Sequence, residues 1–210
     1  MERAKPPQPA YESTWDMDIM VWFIQSLPEN AVLDDVTLRM KCIMLFKMVD
    51  LSRSADILAI SFHSIGFKDG NLSGSRWPTK NYKKDRPAEF KYGKIQDSKL
   101  CVSAAWQEYI NRTKHIPRPK DRIFVSHQKV AKEIGVETIA KDTLKMMDMA
   151  GIDTTTFKSH STRMFSASKA LEKRASVDEV MRAGRWRSKA VFDLFYNRSK
   201  HLDMTNLIFG

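Results

Sequence analysis

Cysteine is nearly missing from this 210-residue chain: its two, Cys42 and Cys101, stand far apart and beside apolar residues. That count excludes a disulfide framework and a cysteine zinc site, and it predicts two buried, reduced thiols. The five histidines (His63, His115, His127, His160 and His201) are scattered without the spacing of metal ligands, so no metal is expected. The eight glycines form no phosphate-cradling loop, which argues against nucleotide hydrolysis, and no cofactor is expected. Long hydrophobic runs are lacking too. No apolar stretch approaches the ~20 residues of a membrane span. The first residues, Met1-Glu2-Arg3-Ala4-Lys5-Pro6-Pro7, carry no hydrophobic signal region. The expectation is a soluble, intracellular protein without a membrane partner.

Acidic residues are in deficit: 25 Asp and Glu against 35 Lys and Arg give a formal charge of +10. The excess is uneven. Residues 1–57 hold six basic and nine acidic residues, whereas residues 157–200 hold eleven basic and four acidic. A positive surface concentrated in one segment fits a polyanion such as nucleic acid.

Hydrophobic residues make up 42% of the chain, enough for one good core at this length. Residues 1–12, with Pro6, Pro7 and Pro9, read as a disordered lead-in, and residues 13–210 as one domain. Thr14 is the candidate cap of a helix through Leu27, with Trp15, Ile19, Phe23 and Leu27 on one face and Pro28 as its stop. Asp34 or Asp35 opens a second helix, with Leu38, Cys42, Phe46 and Val49 at helical spacing. Ile60, Phe62 and Ile65 suggest a strand, Gly70, Gly74 and Pro78 mark turns, and Phe90–Ile95 suggests another strand. Helical patterning returns at 102–110, at 136–149 before Gly151, and in three short helices near 160–172, 177–183 and 188–197. The fold class is α+β, mainly α, with a small antiparallel sheet and no second hydrophobic core.

Within this frame stand Arg53, then His160-Ser161-Thr162-Arg163, then Gly184-Arg185-Trp186, then Tyr196. Each alone has an ordinary explanation: Arg53 could pair with Asp56, His160 and Arg163 could form a helix cap or surface pair, and Trp186 and Tyr196 could be core. Together they offer two guanidinium forks, two further donors and a phenol nucleophile, a set able to attack a phosphodiester without a metal.

The order and spacing resemble the tyrosine recombinase (phage integrase) family. Leu51–Asp56 is similar to its first box, Leu-x-x-Arg-x-x-Glu/Asp, with the leucine one residue closer. His160 and Arg163 match the His-x-x-Arg box, Gly184 and Trp186 the later Gly-His/Trp position, and Tyr196 the nucleophile. Lys99-Leu100-Cys101-Val102 with Ala105 and Tyr109, and Phe157-Lys158-Ser159-His160-Ser161-Thr162-Arg163, look like eukaryotic DIRS-type and crypton-type mobile-element recombinases. The likeness runs from about Trp15 to Tyr196. It implies a helical catalytic domain that cuts DNA through a 3′-phosphotyrosyl link and rejoins it, for integration or recombination of a mobile element. Double-stranded DNA would be the partner, a homo-oligomer (a tetramer when active) the working form, and the nucleus the location. Arg53 and Arg163 would clamp phosphate oxygens, His160 would move a proton near the attacking oxygen, and Trp186 would donate its indole N–H. A hairpin lysine would protonate the leaving 5′-oxygen; Lys80 is the first choice, with Lys83 and Lys84 close behind. Arg185 departs from members that run glycine directly into His or Trp. Set against that family, the expectation for this sequence is an N-terminal core-binding domain absent or reduced. A catalytically inactive or domesticated DNA-binding protein on the same fold is the alternative, and a type IB topoisomerase shares the chemistry. The apolar tail at 200–210 would either pass to a neighbouring subunit or pack on its own core.

Overall fold

The computed structural model describes residues 15–77, 87–127 and 130–195. Their centre is α2 (Asp35–Asp50), buried all round from Leu38 to Lys47. The helix forms because Asp34 caps it, accepting from the N–H groups of Val36 and Thr37 at 3.0 Å each, and because no glycine or proline interrupts it. It ends at Leu51, which turns left-handed at φ 54°.

Around α2 pack α4 (Val102–Thr113), α5 (Val136–Met149) and α6 (Ser161–Glu172). Phe46 of α2 meets Trp106 of α4 at 4.8 Å between ring centroids, and Trp106 meets Phe124 at 5.4 Å. The Trp106 indole N–H donates to the Cys42 carbonyl at 3.1 Å, so the largest core side chain leaves no polar atom stranded. Both cysteines are buried and free, as their apolar neighbours predicted, and burial pushes the Cys42 thiol far up.

The sheet has three antiparallel strands in the order β1 (Gly66–Lys68), β2 (Asn71–Arg76), β3 (Ala88–Tyr92). Gly70 makes the β1–β2 turn at φ 75°, as expected of a glycine there. Two expectations for this region fail. Residues 60–65 are not a strand: Phe62–Ser64 is a 3₁₀ turn, fixed because the Asp121 carboxylate accepts from the Ser61 hydroxyl and from the His63 backbone and ring. Gly74 is no turn but mid-strand, where an added Cβ would meet Phe90 at 2.6 Å and Ile65 at 2.7 Å.

The first helix, α1 (Met17–Ser26), is capped by Asp16 rather than Thr14, the Asp16 carboxylate accepting from Asp18 N–H at 2.9 Å. Its buried line is Met17, Met20 and Ile24, with Ile19 and Phe23 only partly covered. Trp15, just before it, donates from its indole N–H to the Ser161 hydroxyl at 3.3 Å and lies 4.7 Å from the Phe165 ring. The start of the described chain thus braces α6.

The short helices α3 (Ser54–Leu58), α7 (Val177–Gly184) and α8 (Lys189–Phe195) complete the fold. While α3 packs on α5, a satellite apolar cluster of Leu51, Ala167, Val180 and Phe192 joins α7 and α8 to α6, contrary to the single core expected. Its seed is the left-handed turn at Leu51, which swings that leucine from the end of α2 into the α6–α7–α8 group. Among the described residues no helix is long and apolar enough to cross a membrane.

Candidate active site

Arg163 lies in the first turn of α6 and is 2% exposed. Its guanidinium donates to the Gly184 carbonyl, and its plane stands 4.0 Å from the Trp186 ring centroid. Trp186 in turn meets Phe192 of α8 at 4.9 Å. Gly184 is required here, since a Cβ would sit 1.9 Å from the Trp186 ring. The last turn of α7, the arginine of the His-x-x-Arg box and the base of α8 therefore form one packed unit.

That unit rests on how α7 begins and ends. Ser176 and Glu179 cap its start reciprocally, with Ser176 N–H donating to the Glu179 carboxylate at 2.8 Å and Glu179 N–H to the Ser176 hydroxyl at 3.2 Å. At its end Arg185 turns left-handed at φ 61°. The N–H of Trp186 reaches the Met181 carbonyl at 2.9 Å and that of Arg185 the Arg182 carbonyl at 3.2 Å, a Schellman pair. This turn aims Trp186 back at Arg163.

Arg53 is half-buried and precedes α3, beyond the end of α2. Its backbone N–H donates to the Asp56 carboxylate at 2.9 Å, so the acid three residues on shapes the turn that carries the arginine. Asp56 also lies 3.7 Å from the Arg185 guanidinium. The two arginine turns are thereby joined through Arg185.

His160 caps α6 at the surface, preceded by a compact turn in which Asp153 accepts from the backbone and hydroxyl groups of Thr155 and Thr156. Those donors hold the Asp153 carboxyl down to about 2. Partial desolvation, and then the positive charge of Lys47, set the His160 imidazole below its ordinary value. Neutral imidazole can both accept and donate a proton. Lys47 itself is 1% exposed and donates to the Ser54 hydroxyl at 3.3 Å. Burial pushes its ammonium down to about 8, against a partial opposing effect of Asp56.

The sequence did not point to Asp50. This carboxylate, 3% exposed, accepts from both ends of the Arg76 guanidinium at 2.6 and 2.5 Å, from the Tyr92 and Ser52 hydroxyls, and from Arg185 at 3.0 Å. Burial alone would raise its pKa; the paired hydrogen bonds and charge of Arg76, followed by Arg185, outweigh this and hold it low. No local pattern announces such a group, because Arg76, Tyr92 and Arg185 lie 26, 42 and 135 residues away.

The structure thus connects Arg53, Arg163 and Trp186 through neighbouring turns, with His160 three residues before Arg163. Lys80, Lys83 and Lys84 belong to the β2–β3 connection at 78–86, outside the described residues, as does Tyr196, which follows the last residue of α8. Among the described residues no cluster of three or more metal-ligating side chains occurs.

A scan against family models finds no match, and a search of curated proteins finds none either. Solved structures do match. The XerH site-specific recombinase bound to its difH substrate in a pre-cleavage complex superposes with a TM-score of 0.68 at 14% identity, over 97% of this chain and 54% of that one. The XerA recombinase gives 0.64 at 17% identity, over 96% and 64%. A lambda integrase dimer bound to a core site gives 0.52 at 16%, over 96% and 64%. The chain has the tyrosine recombinase catalytic-domain fold. It spans little more than half to two thirds the length of these structures. The α+β, mainly helical class with a small antiparallel sheet is as the sequence implied.

Proposed function

We propose that this protein cleaves and rejoins double-stranded DNA through a 3′-phosphotyrosyl intermediate on Tyr196, in integration or recombination of a mobile element of DIRS or crypton type. The observation that carries the proposal is the buried Arg163 guanidinium stacked on Trp186 and held at the Gly184 carbonyl, within a recombinase-like fold. A guanidinium fixed in this way meets a phosphate without first losing side-chain freedom.

In the cleavage step the Tyr196 phenol oxygen attacks phosphorus as its proton leaves, with His160 as acceptor. The bond from phosphorus to the 5′-oxygen breaks, and that oxygen takes a proton from the hairpin lysine, Lys80 by preference. Arg53 and Arg163 hold the non-bridging oxygens while charge accumulates. Rejoining is the reverse, with a 5′-hydroxyl of another strand as nucleophile, so bond energy is conserved and no nucleotide is consumed. Reciprocal strand exchange requires several active subunits on DNA, a tetramer in this proposal, working in the nucleus.

The test is incubation with nicked and supercoiled DNA, denaturation, and detection of protein-linked DNA beside Tyr196→Phe. Attachment in the wild type, abolished in the variant with DNA binding retained, is expected. Attachment surviving Tyr196→Phe would overturn the assignment of the nucleophile.

A further inference from the structure

Arg185 stands in a conformation that a side chain ordinarily resists. The Schellman turn ending α7 places it at φ 61°, where glycine is favoured and other residues incur strain. A non-glycine residue persists at such a place when its surroundings fix it. Here they do: the Arg185 guanidinium donates to Asp50 at 3.0 Å and to the Ser52 hydroxyl at 3.5 Å, and pairs with Asp56 at 3.7 Å. The three acceptors lie at the end of α2, in the turn that carries Arg53, and in the first turn of α3, which Arg53 precedes. That side of the contact is itself anchored, because Asp50 is gripped by Arg76 of β2 and Tyr92 of β3, and Arg76 lies 5.2 Å from the Phe90 ring. The other side is anchored as well, since the neighbours of Arg185 are the Gly184 carbonyl that takes Arg163 and the Trp186 ring that stacks on it.

We infer that Arg185 is a positioning residue that sets the Arg163–Trp186 unit against the Arg53 turn through Asp50 and Asp56. The assignment rests on the function proposed above. Arg185 need touch neither substrate nor nucleophile. Its side chain bridges two turns whose arginines must converge on one phosphate, and its guanidinium is already engaged by the Asp50 and Asp56 carboxylates.

Arg185→Gly separates backbone from side chain, because glycine accepts the left-handed turn and only the bridge is lost. Arg185→Lys keeps the positive charge facing Asp50. Three readouts are taken together for each: rate of Tyr196-dependent covalent attachment, DNA affinity as a function of salt, and unfolding midpoint. The expected result is attachment slowed roughly 10- to 100-fold in Arg185→Gly, the scale of misplaced reacting groups. DNA affinity, salt slope and unfolding midpoint stay near those of the wild type, and Arg185→Lys recovers part of the rate. Attachment at the wild-type rate in Arg185→Gly would overturn the inference while leaving the proposed function standing. Weaker binding with a shallower salt slope would overturn it too, making Arg185 a direct phosphate contact. Absence of any attachment in the wild type would remove the proposed function, and this role with it.

Discussion

Lys47 shows how much a single buried charge can bear on the candidate site. It sits at the end of α2 with 1% exposure, next to Ser54 and in the fields of Asp56 and His160. Burial lowers its pKa from 10.5 to about 8, so between these values the unfolded chain binds more protons than the folded one. Stability from this site therefore rises with pH across that window, and below about pH 8 the full penalty of holding a buried ammonium remains. Lys47→Met should stabilise the fold at pH 7 by on the order of 2 kcal/mol and flatten the rise above pH 8. Denaturant unfolding at pH 7, 8.5 and 10 checks this; a variant less stable at pH 7 than the wild type would refute it. Nothing in the local sequence marks this lysine, because it is the packing around α2 from Leu38 to Lys47 that makes its charge costly.

At the scale of elements, local rules worked where the partner of a residue lies nearby in the chain. The periodicity of 136–149 and the stop at Gly151 located α5 to the residue, and Gly184 marked the end of α7. They failed at 60–65, where apolar residues alternate as in a strand but Asp121, some sixty residues on, folds the segment into a 3₁₀ turn. Arg53, His160, Arg163 and Trp186 could be named from their spacing, whereas the Asp50 network between the Arg53 turn and Arg185 could not. The same distinction governs the α2–α5 contact. Arg39 of α2 meets Asp142 of α5 through two hydrogen bonds of 2.8 and 3.2 Å, and also donates to the Val125 carbonyl at 2.9 Å. Asp142→Ala would leave a buried guanidinium without its carboxylate, at a cost of about 3–5 kcal/mol. Arg39→Met combined with Asp142→Leu should lose much less. Thermal unfolding of the single and double variants decides it; equal losses would show that the pair is not a coupled unit.

For the whole molecule, the positive charge is concentrated in the C-terminal helices. Exposed Lys173, Arg174, Arg182, Arg187 and Lys189 lie on or between α6, α7 and α8, the stretch of chain that also carries Arg163 and Trp186. The acidic excess belongs to the first 57 residues. Phosphate contacts should then dominate affinity: DNA binding measured by anisotropy should fall at least ~100-fold between 50 and 200 mM salt, with little dependence on sequence. Affinity insensitive to salt would contradict a phosphate-contacting role for these basic residues.

The most direct measurement is the chemical identity of the protein–DNA link. Protein-attached DNA is trapped from nicked duplexes, digested with protease and nuclease, and the nucleotide-bearing peptide is sequenced by mass spectrometry. A 3′-nucleotide on the peptide containing Tyr196, with a free 5′-hydroxyl on the released strand, is the predicted result. A link to any other residue, or a 5′-phosphate on the released strand, would contradict it.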